Sequence, residues 1–384
     1  MTSAAVWAMV AVLVVVVLVA AVVVVVLVMK QPAASALAPA AAATGPAEAQ
    51  KPAGELPLPS GTDNPAPPVL ANPAGRLVGI MYSTWADSWG YAKDTAGKHI
   101  MQTEAMKDAP DAGGPKLYWW GHPSWAGGDI DKYRFVLDGK ANAPLIVYHA
   151  NLLVAAGVDF IAIDITNGNA TALKGLKALC ETYARLKHRP RVVPWARTTE
   201  DVEQLKRELF DKFPADLWLQ HEGKPLLLVG DQFKTAIPTG GVFDNFTARK
   251  MWGLTREDVW TFKQNLRTGD RYEPFMRNGK PEQMSVAVAT QSTYMSDAST
   301  LRQGREGGAY MARQFEIVNR FRPKFVVVTS WNEWFAIRGK GDNGYHFVDQ
   351  FGPEYSADVE PSQELGTKYY DLLCGHIKTF KALP

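Results

Sequence analysis

A short aromatic and polar segment, Ser330-Trp331-Asn332-Glu333-Trp334, carries side chains that can perform chemistry. It directly follows the apolar run Phe325 to Thr329, which predicts a buried parallel strand with Glu333 just beyond its C-terminal end. A carboxyl group can transfer a proton, an amide can bind a hydroxyl group, and indole faces can stack on a sugar ring. Cleavage of a glycosidic bond requires these groups, so we interpret Glu333 as a catalytic carboxylate. The open alternative is a structural glutamate paired with an arginine at the strand end.

Further site residues are expected at the ends of other strands, because in an α/β barrel the C-terminal strand ends converge on one pocket. Asp164, at the end of the run Val158 to Asp164, is the acidic candidate from the second strand. Asp159 lies five positions earlier, faces the opposite side of the strand and is interpreted as structural. For Asp164 a role in capping a turn or orienting an arginine stays open. The candidates for substrate binding at strand ends are Trp331, Asn332, Trp334, Tyr82, Trp85, Asn167, Arg197 and Gln291.

The segment from Asp87 to Asp138 is longer than an ordinary connection between a strand and a helix, and long ordered loops are usually functional. It contains Tyr118-Trp119-Trp120-Gly121-His122-Pro123, so we expect an aromatic lip over the pocket, with Trp119, Trp120 and His122 binding substrate. Packing of these rings against the barrel is the alternative, since large aromatic side chains are mostly buried. The lone His149 of a predicted helix is expected to be a packed or surface residue.

The elements that position these residues alternate between strand and helix patterns through most of the chain. Such alternation over roughly 300 residues is typical of the α/β class and predicts a (β/α)8 TIM-type barrel. Seven strands can be located, and the eighth is expected after Tyr345. The seven are Leu77–Tyr82, Val158–Asp164, Arg191–Trp195, Leu226–Val229, Arg249–Trp252, Ser285–Ala289 and Phe325–Thr329. Helices are expected at Ala143–Ala156, Ala172–Leu186, Glu200–Phe213 with Thr198 as its cap, Gly307–Phe321 and Ser362–Phe380.

The N-terminal residues have a different composition from the rest. From Ala4 to Met29 the chain is almost wholly Val, Ala, Leu and Met without a charged side chain, which predicts a membrane-spanning helix. No basic side chain precedes this run, so residues 1–30 are interpreted as an uncleaved anchor, with cleavage near Ala34-Ser35-Ala36 as the alternative. Residues 31–75, rich in Ala, Pro and Gly, predict a disordered linker. Residues 76–384 predict the barrel domain, which we expect on the extracytoplasmic side of the membrane.

Charge and motif content argue against several classes of partner. Lys and Arg number 41 and Asp and Glu 39, a formal net charge of +2, so there is no electrostatic reason to expect nucleic acid as a partner. No HExxH, GxGxxG or GxxxxGK[ST] motif is present, and we therefore expect no metal and no cofactor. Cys180 and Cys374 lie in apolar helical stretches and are interpreted as buried thiols, since a domain of this size needs no disulfide.

Several motifs together resemble glycoside hydrolase family 99 and the family 71-like group, the endo-α-mannosidase and α-1,3-glucanase relatives. The motifs are Ala156-Gly157-Val158-Asp159-Phe160-Ile161, Asp164-Ile165-Thr166-Asn167-Gly168, Gly223-Lys224-Pro225-Leu226-Leu227, Thr329-Ser330-Trp331-Asn332-Glu333-Trp334 and Val359-Glu360-Pro361-Ser362. The resemblance implies a (β/α)8 barrel and metal-independent hydrolysis of an α-linked glycan, with Glu333 as the matched carboxylate. For family 99 it also implies participation of the sugar 2-hydroxyl group.

The chain departs from this pattern at one position. In these families a glutamate follows the motif acid three positions later, where this chain has Ala336. The second carboxylate must then come from elsewhere, with Asp164 as the first candidate and Asp342 or Glu360 behind it. We expect a membrane-tethered hydrolase of a mannan-like or glucan-like polysaccharide at the cell envelope. The alternative is a non-catalytic glycan-binding protein on a hydrolase scaffold.

Overall fold

The computed structural model describes residues 64–86, 117–166, 170–230, 236–252, 259–262, 272–291, 295–296, 302–341, 344–348 and 353–384. Within these residues eight strands form one curved sheet in which neighbouring strands are parallel. The strands are β1 (Leu77–Tyr82), β2 (Phe160–Asp164), β3 (Arg191–Ala196), β4 (Lys224–Val229), β5 (Thr247–Trp252), β6 (Trp260–Thr261), β7 (Lys280–Ala287) and β8 (Phe325–Thr329).

The strand order is β6-β5-β4-β3-β2-β1-β8-β7, so the sheet follows the chain order of a barrel that is open only between β6 and β7. Side chains bridge this gap. The amide of Gln283 on β7 accepts a hydrogen bond from the Thr261 backbone N–H at 3.0 Å and donates to the Thr261 carbonyl at 2.7 Å. These two bonds replace the backbone ladder that would otherwise join the strands. The predicted barrel is therefore observed as a nearly closed, barrel-like sheet.

The eighth strand does not lie where the sequence pattern placed it. It is Trp260–Thr261, between β5 and β7, and not a segment after Tyr345. Two paired residues are too short to produce a hydrophobic pattern, which explains why this strand escaped prediction. The segment Gly344–Val348 instead joins a small antiparallel sheet with Phe335–Gly341, Leu117–Trp119 and Met295–Ser296.

Five α-helices are described, close to the predicted bounds. They are α1 (Ala143–Ala155), α2 (Ala170–Tyr183), α3 (Thr199–Leu205), which continues as a π-helical turn over Lys206–Phe210, α4 (Ala309–Phe321) and α5 (Lys368–Ala382). Thr198 and Asp201 form a capping box at the start of α3, as expected. Helix α5 begins later than Ser362 because the residues from Ser362 to Gly366 close a hydrogen-bonded turn.

Short pieces complete the described chain. Two-residue strands Val136–Leu137 and Lys140–Ala141 form a hairpin, Thr290–Gln291 pairs with Arg302–Gln303, and Gln220–His221 and Phe275–Arg277 add antiparallel edges to β4 and β7. Short 3₁₀ turns lie at Trp125–Gly128, Ile130–Lys132, Ala215–Leu217, Gly241–Asn245, Glu306–Gly308 and Pro353–Tyr355.

Alternate residues of each strand belong to two different cores. Met81, Ala162, Val193 and Val327 pack with each other inside the sheet, whereas their neighbours along the strands pack outward against the helices. Gly79 belongs to the inner face, where a Cβ atom would lie 2.2 Å from the ring of Phe160. Glycine at position 79 therefore leaves the room that the Phe160 ring occupies inside the barrel.

The folded domain includes residues that composition assigned to the linker. Asn64 is 5% exposed, its side-chain oxygen accepts a hydrogen bond from the His188 backbone N–H at 3.0 Å, and its amide donates to Asn151 at 3.1 Å. Asn64, which composition assigns to the linker, therefore packs against the barrel domain. The expected anchor and the rest of the linker lie outside the described residues. Among the helices that are described, none combines the length and apolarity needed to span a bilayer.

Candidate active site

Four polar or aromatic side chains share the inner face at the C-terminal ends of neighbouring strands, which we call the barrel mouth. They are Ser83, Asp164, Trp195 and Thr329. Asp164 is in register with Trp195, and Tyr82 with Ile163, so Ser83, Asp164 and Trp195 lie at one level across β1, β2 and β3. Thr329 on β8 aligns with Met81, one level deeper. Only β1 separates Asp164 from the strand that leads to Glu333, a backbone separation of about 10 Å.

The segment that carries Glu333 is tied to β1 and the residue after it by hydrogen bonds of Trp331 and Asn332. The Trp331 backbone N–H donates to the Met81 carbonyl at 2.8 Å. The Asn332 side chain accepts from the Ser83 N–H at 2.8 Å and donates to the Ser83 carbonyl at 2.9 Å. Asn332 is 1% exposed, and its amide is committed to the backbone of Ser83.

Asp358 fixes the backbone of Glu333 from the other side. Its carboxylate accepts hydrogen bonds from the Glu333 backbone N–H at 2.6 Å and from the Trp120 indole at 3.0 Å. The Arg305 guanidinium donates to the Asp358 carbonyl at 2.8 Å and stacks on the ring of Tyr369. Burial raises the pKa of Asp358, and burial lowers the pKa of Arg305 to about 10. Glu333 itself is half-buried, whereas Asn332, Trp334 and Asp358 around it are buried.

The aromatic rings expected to bind sugar are part of this frame. Trp119, Trp120, Trp331 and Trp334 have no exposed surface. The rings of Trp120 and Trp334 stack with centroids 4.6 Å apart. A fully buried ring offers no face to a ligand, so the structure places these four tryptophans behind the mouth, as supports. Of the expected aromatic lip, Trp119 and Trp120 are thus packed, whereas His122 is half-buried.

Tyr82 faces the helices and not the mouth. It is 1% exposed, belongs to the outward face of β1, and donates or accepts a hydrogen bond at 2.6 Å with Nδ1 of His149 on α1. Alternation along a strand separates two faces but does not say which one is inward, so the pattern alone cannot distinguish a pocket position of Tyr82 from an outward one.

The remaining predicted site residues have varied positions. His122 is partly exposed and its Nδ1 pairs with Glu364 at 2.6 Å, a hydrogen bond that raises the pKa of His122. Trp85 is half-buried with its ring edge-on to Phe335. Arg197 is half-buried just past the end of β3, and Gln291 lies in a two-residue strand beside Arg302. Asn167 and Asp342 lie outside the described residues.

The carboxylates considered as partners of Glu333 differ in accessibility. Asp164 is half-buried and accepts a hydrogen bond from the Thr166 backbone N–H at 2.7 Å, so it combines the turn-capping role with a position at the mouth. Glu360 is 2% exposed and both of its oxygens accept hydrogen bonds from buried donors. Asp159 binds Lys381 and the Val78 N–H at the opposite end of the sheet, in the structural role expected for it.

Several polar atoms at the barrel mouth have no hydrogen-bond partner within the described part of the chain. They are Ser83 Oγ, Thr329 Oγ1, Trp195 Nε1 and Arg197 Nε. Gly230 lies beside them, since a Cβ there would be in van der Waals contact with Trp195 Nε1 at 3.8 Å and with Thr166 at 3.7 Å. Shielded polar groups without partners cost free energy, and hydroxyl groups of a ligand or ordered water would relieve that cost.

One group of possible metal ligands is present among the described residues, but it lies at the other end of the sheet. His221, Glu222 and Glu282 have ligand atoms within 4.8 Å of one another. The Arg249 guanidinium donates to both glutamates at 2.9 Å, so a cation already occupies the centre of this cluster. The cluster is therefore an ion-pair network that joins strand ends.

These observations define an α/β protein with a nearly closed barrel-like sheet and a carboxylate-bearing mouth. The structure is similar to that of the GH99 endo-alpha-mannosidase from Bacteroides thetaiotaomicron, with 13% sequence identity, a TM-score of 0.46, and coverage of 79% of this chain and 97% of that chain. The same enzyme in complex with bis-tris-propane gives a TM-score of 0.44 at 13% identity over 79% and 96% of the two chains. Both belong to the family that the motifs resemble. No family model matches the chain, and no curated protein matches its sequence.

Three residues that support the site are not indicated by any motif in the sequence. Asp358 and Arg305 carry no motif, and His149 is a single histidine within an apolar helix. Each acquires its role from a partner more than 20 residues away. Motif spacing could have found none of them.

Proposed function

We propose that this protein is a glycoside hydrolase that acts on an α-linked polysaccharide or glycan, with Glu333 as a catalytic carboxylate. The observation that carries the proposal is the half-buried Glu333, which directly follows β8 on a segment whose neighbouring side chains, Asn332, Trp334 and Asp358, are buried. A frame of this kind holds a reacting group in one position, which catalysis requires. The α-linkage and the mannan-like or glucan-like substrate follow from the motif resemblance alone.

The half-buried polar residues at the mouth, Asp164 and Arg197, suit the chemistry of a polyhydroxylated ligand. A glycosidase needs one carboxyl group beside the leaving oxygen and a second that acts as nucleophile or activates water. We assign these roles to Glu333 and Asp164. A carboxyl separation of about 5–5.5 Å would favour retention, and about 6.5–9.5 Å would favour inversion. Participation of the sugar 2-hydroxyl group would relax this rule.

A second function is favoured by one specific observation. Ala336 stands where the resembled families have their second motif carboxylate, and an alanine cannot transfer a proton. A chain that has lost catalysis would still retain the mouth as a glycan-binding site. The two functions differ in one measurable property, release of reducing sugar.

The proposal also includes the setting of the enzyme. The apolar N-terminal run supports anchoring in a membrane, with the barrel domain on the extracytoplasmic side at the cell envelope. From the motif content we propose that the reaction uses no metal or other cofactor. From the balanced charge we propose that nucleic acid is not a partner.

The test is a screen of the full chain for release of reducing sugar from mannans, α-glucans and envelope polysaccharides, followed by the variant Glu333→Gln. This change removes the proton and the charge but little volume, so hydrolysis should fall by at least about 10²-fold while binding to the immobilised polysaccharide remains. Glu316→Gln, an exposed position on α4, is the matched control and should keep full activity. Full activity of Glu333→Gln would refute the assignment. Binding without hydrolysis by the unchanged chain would favour the glycan-binding function.

A further inference from the structure

A buried hydrogen-bond network lies directly behind the segment that carries Glu333. Its centre is the Glu360 carboxylate, and we call the set formed by Tyr82, Tyr133, His149, Trp334 and Glu360 the Glu360 network. Oε1 of Glu360 lies 2.9 Å from His149 Nε2, and Oε2 accepts from the Tyr133 hydroxyl and the Trp334 indole, each at 2.6 Å. His149 Nδ1 lies 2.6 Å from the Tyr82 hydroxyl. None of the five residues is more than 2% exposed.

The donors and acceptors of the Glu360 network can be assigned from their chemistry. A carboxylate oxygen accepts hydrogen bonds, so His149 Nε2, the Tyr133 hydroxyl and the Trp334 indole all donate to Glu360. Burial, followed by the charge of Glu360, raises the pKa of Tyr133 well above its ordinary value, and Tyr133 therefore keeps its proton. With Nε2–H committed to Glu360, Nδ1 of His149 is left to accept from the Tyr82 hydroxyl. Every polar group of the network is then satisfied.

The network holds both flanks of Glu333. On one flank the Trp334 indole donates to the Glu360 carboxylate at 2.6 Å. On the other flank the Glu360 backbone N–H donates to the Trp331 carbonyl at 3.1 Å. One residue thus fixes the positions before and after Asn332 and Glu333. A fully satisfied buried network is stiff, whereas a network with one unpaired member is costly, so this arrangement has little freedom to shift.

We propose that Glu360 and His149 are positioning residues that hold the Trp331–Trp334 segment, and with it the Glu333 carboxylate, in the geometry needed for catalysis. The role in catalysis rests on the proposed function. The role in holding the segment does not, because it concerns only contacts within the chain. Neither residue contacts the mouth, so neither is a catalytic residue in its own right.

Glu360→Gln in the full chain tests the network without depending on activity. The side-chain oxygen of the introduced glutamine would still accept from Tyr133 and Trp334, so its NH2 group must face His149 Nε2. The imidazole then has to accept at Nε2 and carry its proton on Nδ1, from which it donates to Tyr82. Ring ¹⁵N spectra, with the His149 signal assigned from the His149→Gln variant, should show an Nε2–H tautomer in the unchanged chain and an Nδ1–H tautomer in Glu360→Gln. The same tautomer in both would overturn the assignment.

Tyr133→Phe is the second variant, since it removes one of three donors and leaves the charged carboxylate in place. In both variants the Trp334 indole N–H signal should shift and exchange faster with solvent, while Glu316→Gln leaves that signal unchanged. An unaltered Trp334 signal in Glu360→Gln and Tyr133→Phe would show that the network does not hold the segment. This readout remains decisive even when no polysaccharide is hydrolysed, and the failure of the proposed function is thereby distinguished from the failure of this inference.

On a polysaccharide that the unchanged chain hydrolyses, kcat of Glu360→Gln should fall by about tenfold to a hundredfold, the effect of a small misplacement of a reacting group. KM should stay the same, because the network does not contact the substrate. A loss of folding stability with unchanged kcat in the folded fraction would assign the network a structural role only and refute positioning.

Discussion

Neutralising Glu282 is expected to weaken the fold and to remove part of its sensitivity to acid. Glu282 is 7% exposed on β7 and accepts hydrogen bonds from Arg249 Nη2 at 2.9 Å and from the Trp260 indole at 2.8 Å. It therefore joins β5 and β6 to β7 across the open side of the sheet. Burial alone would raise the pKa of Glu282, but the hydrogen bonds from His221, Arg249 and Trp260 outweigh it and lower the pKa from 4.5 to about 2.

The magnitude follows from this pKa difference. One pKa unit corresponds to about 1.4 kcal/mol, so the ionised Glu282 contributes about 3 kcal/mol to the free energy of unfolding. Because the pKa is lower in the folded than in the unfolded protein, this contribution is complete above pH 4.5 and is lost as the pH falls toward about 2. Glu282→Gln should lose a similar amount at pH 7, in line with the about 3–5 kcal/mol expected when one partner of a buried ion pair is removed.

The assay is urea denaturation of the unchanged chain and of Glu282→Gln, at pH 7 and at pH 3. At each pH the free energies of unfolding of the two proteins are compared. The difference should be about 3 kcal/mol at pH 7 and clearly smaller at pH 3. Glu316→Gln, an exposed neutralisation on α4, should change the unfolding free energy by less than about 0.5 kcal/mol at either pH. The reasoning fails if Glu282→Gln is as stable as the unchanged chain at pH 7, or if the difference is the same at both pH values.

Gly79→Ala should lower the free energy of unfolding by about 1–3 kcal/mol, because the added Cβ would overlap the Phe160 ring. In thermal denaturation, the double variant with Phe160→Leu should recover part of that lost stability. A fragment that begins at Asn64 should have a free energy of unfolding about 1–3 kcal/mol higher than a fragment that begins at Arg76, because the shorter fragment lacks the buried hydrogen bonds of Asn64. Equal denaturation midpoints of the two fragments would contradict this. Arg197→Gln should raise KM of polysaccharide hydrolysis without changing kcat, as expected for a group that binds substrate and transition state equally, and an unchanged KM would exclude Arg197 from the site.

The sequence by itself determined the elements whose signal is local. The apolar runs of β1, β2 and β8 are long enough to show a buried strand, and the Thr198–Asp201 capping box is encoded within four residues. The position of Glu333 immediately after β8 follows from the same pattern. Hydrophobic periodicity and capping depend on neighbours along the chain, so they can be read without knowledge of the fold.

Only the tertiary structure decided which side chains face the barrel mouth and what holds them there. The alternation in β1 separates Tyr82 from Ser83, but closure of the sheet decides that Ser83 lies inward and that Tyr82 contacts His149. The strand Trp260–Thr261 exists because β5 provides a partner, and its own residues carry too short a pattern to reveal it. His149 and Glu360 are 211 positions apart, and their hydrogen bond depends on how α1 and the segment after β8 pack on the same strands. Contacts of this range are set by the closure of the whole sheet, which no local pattern encodes.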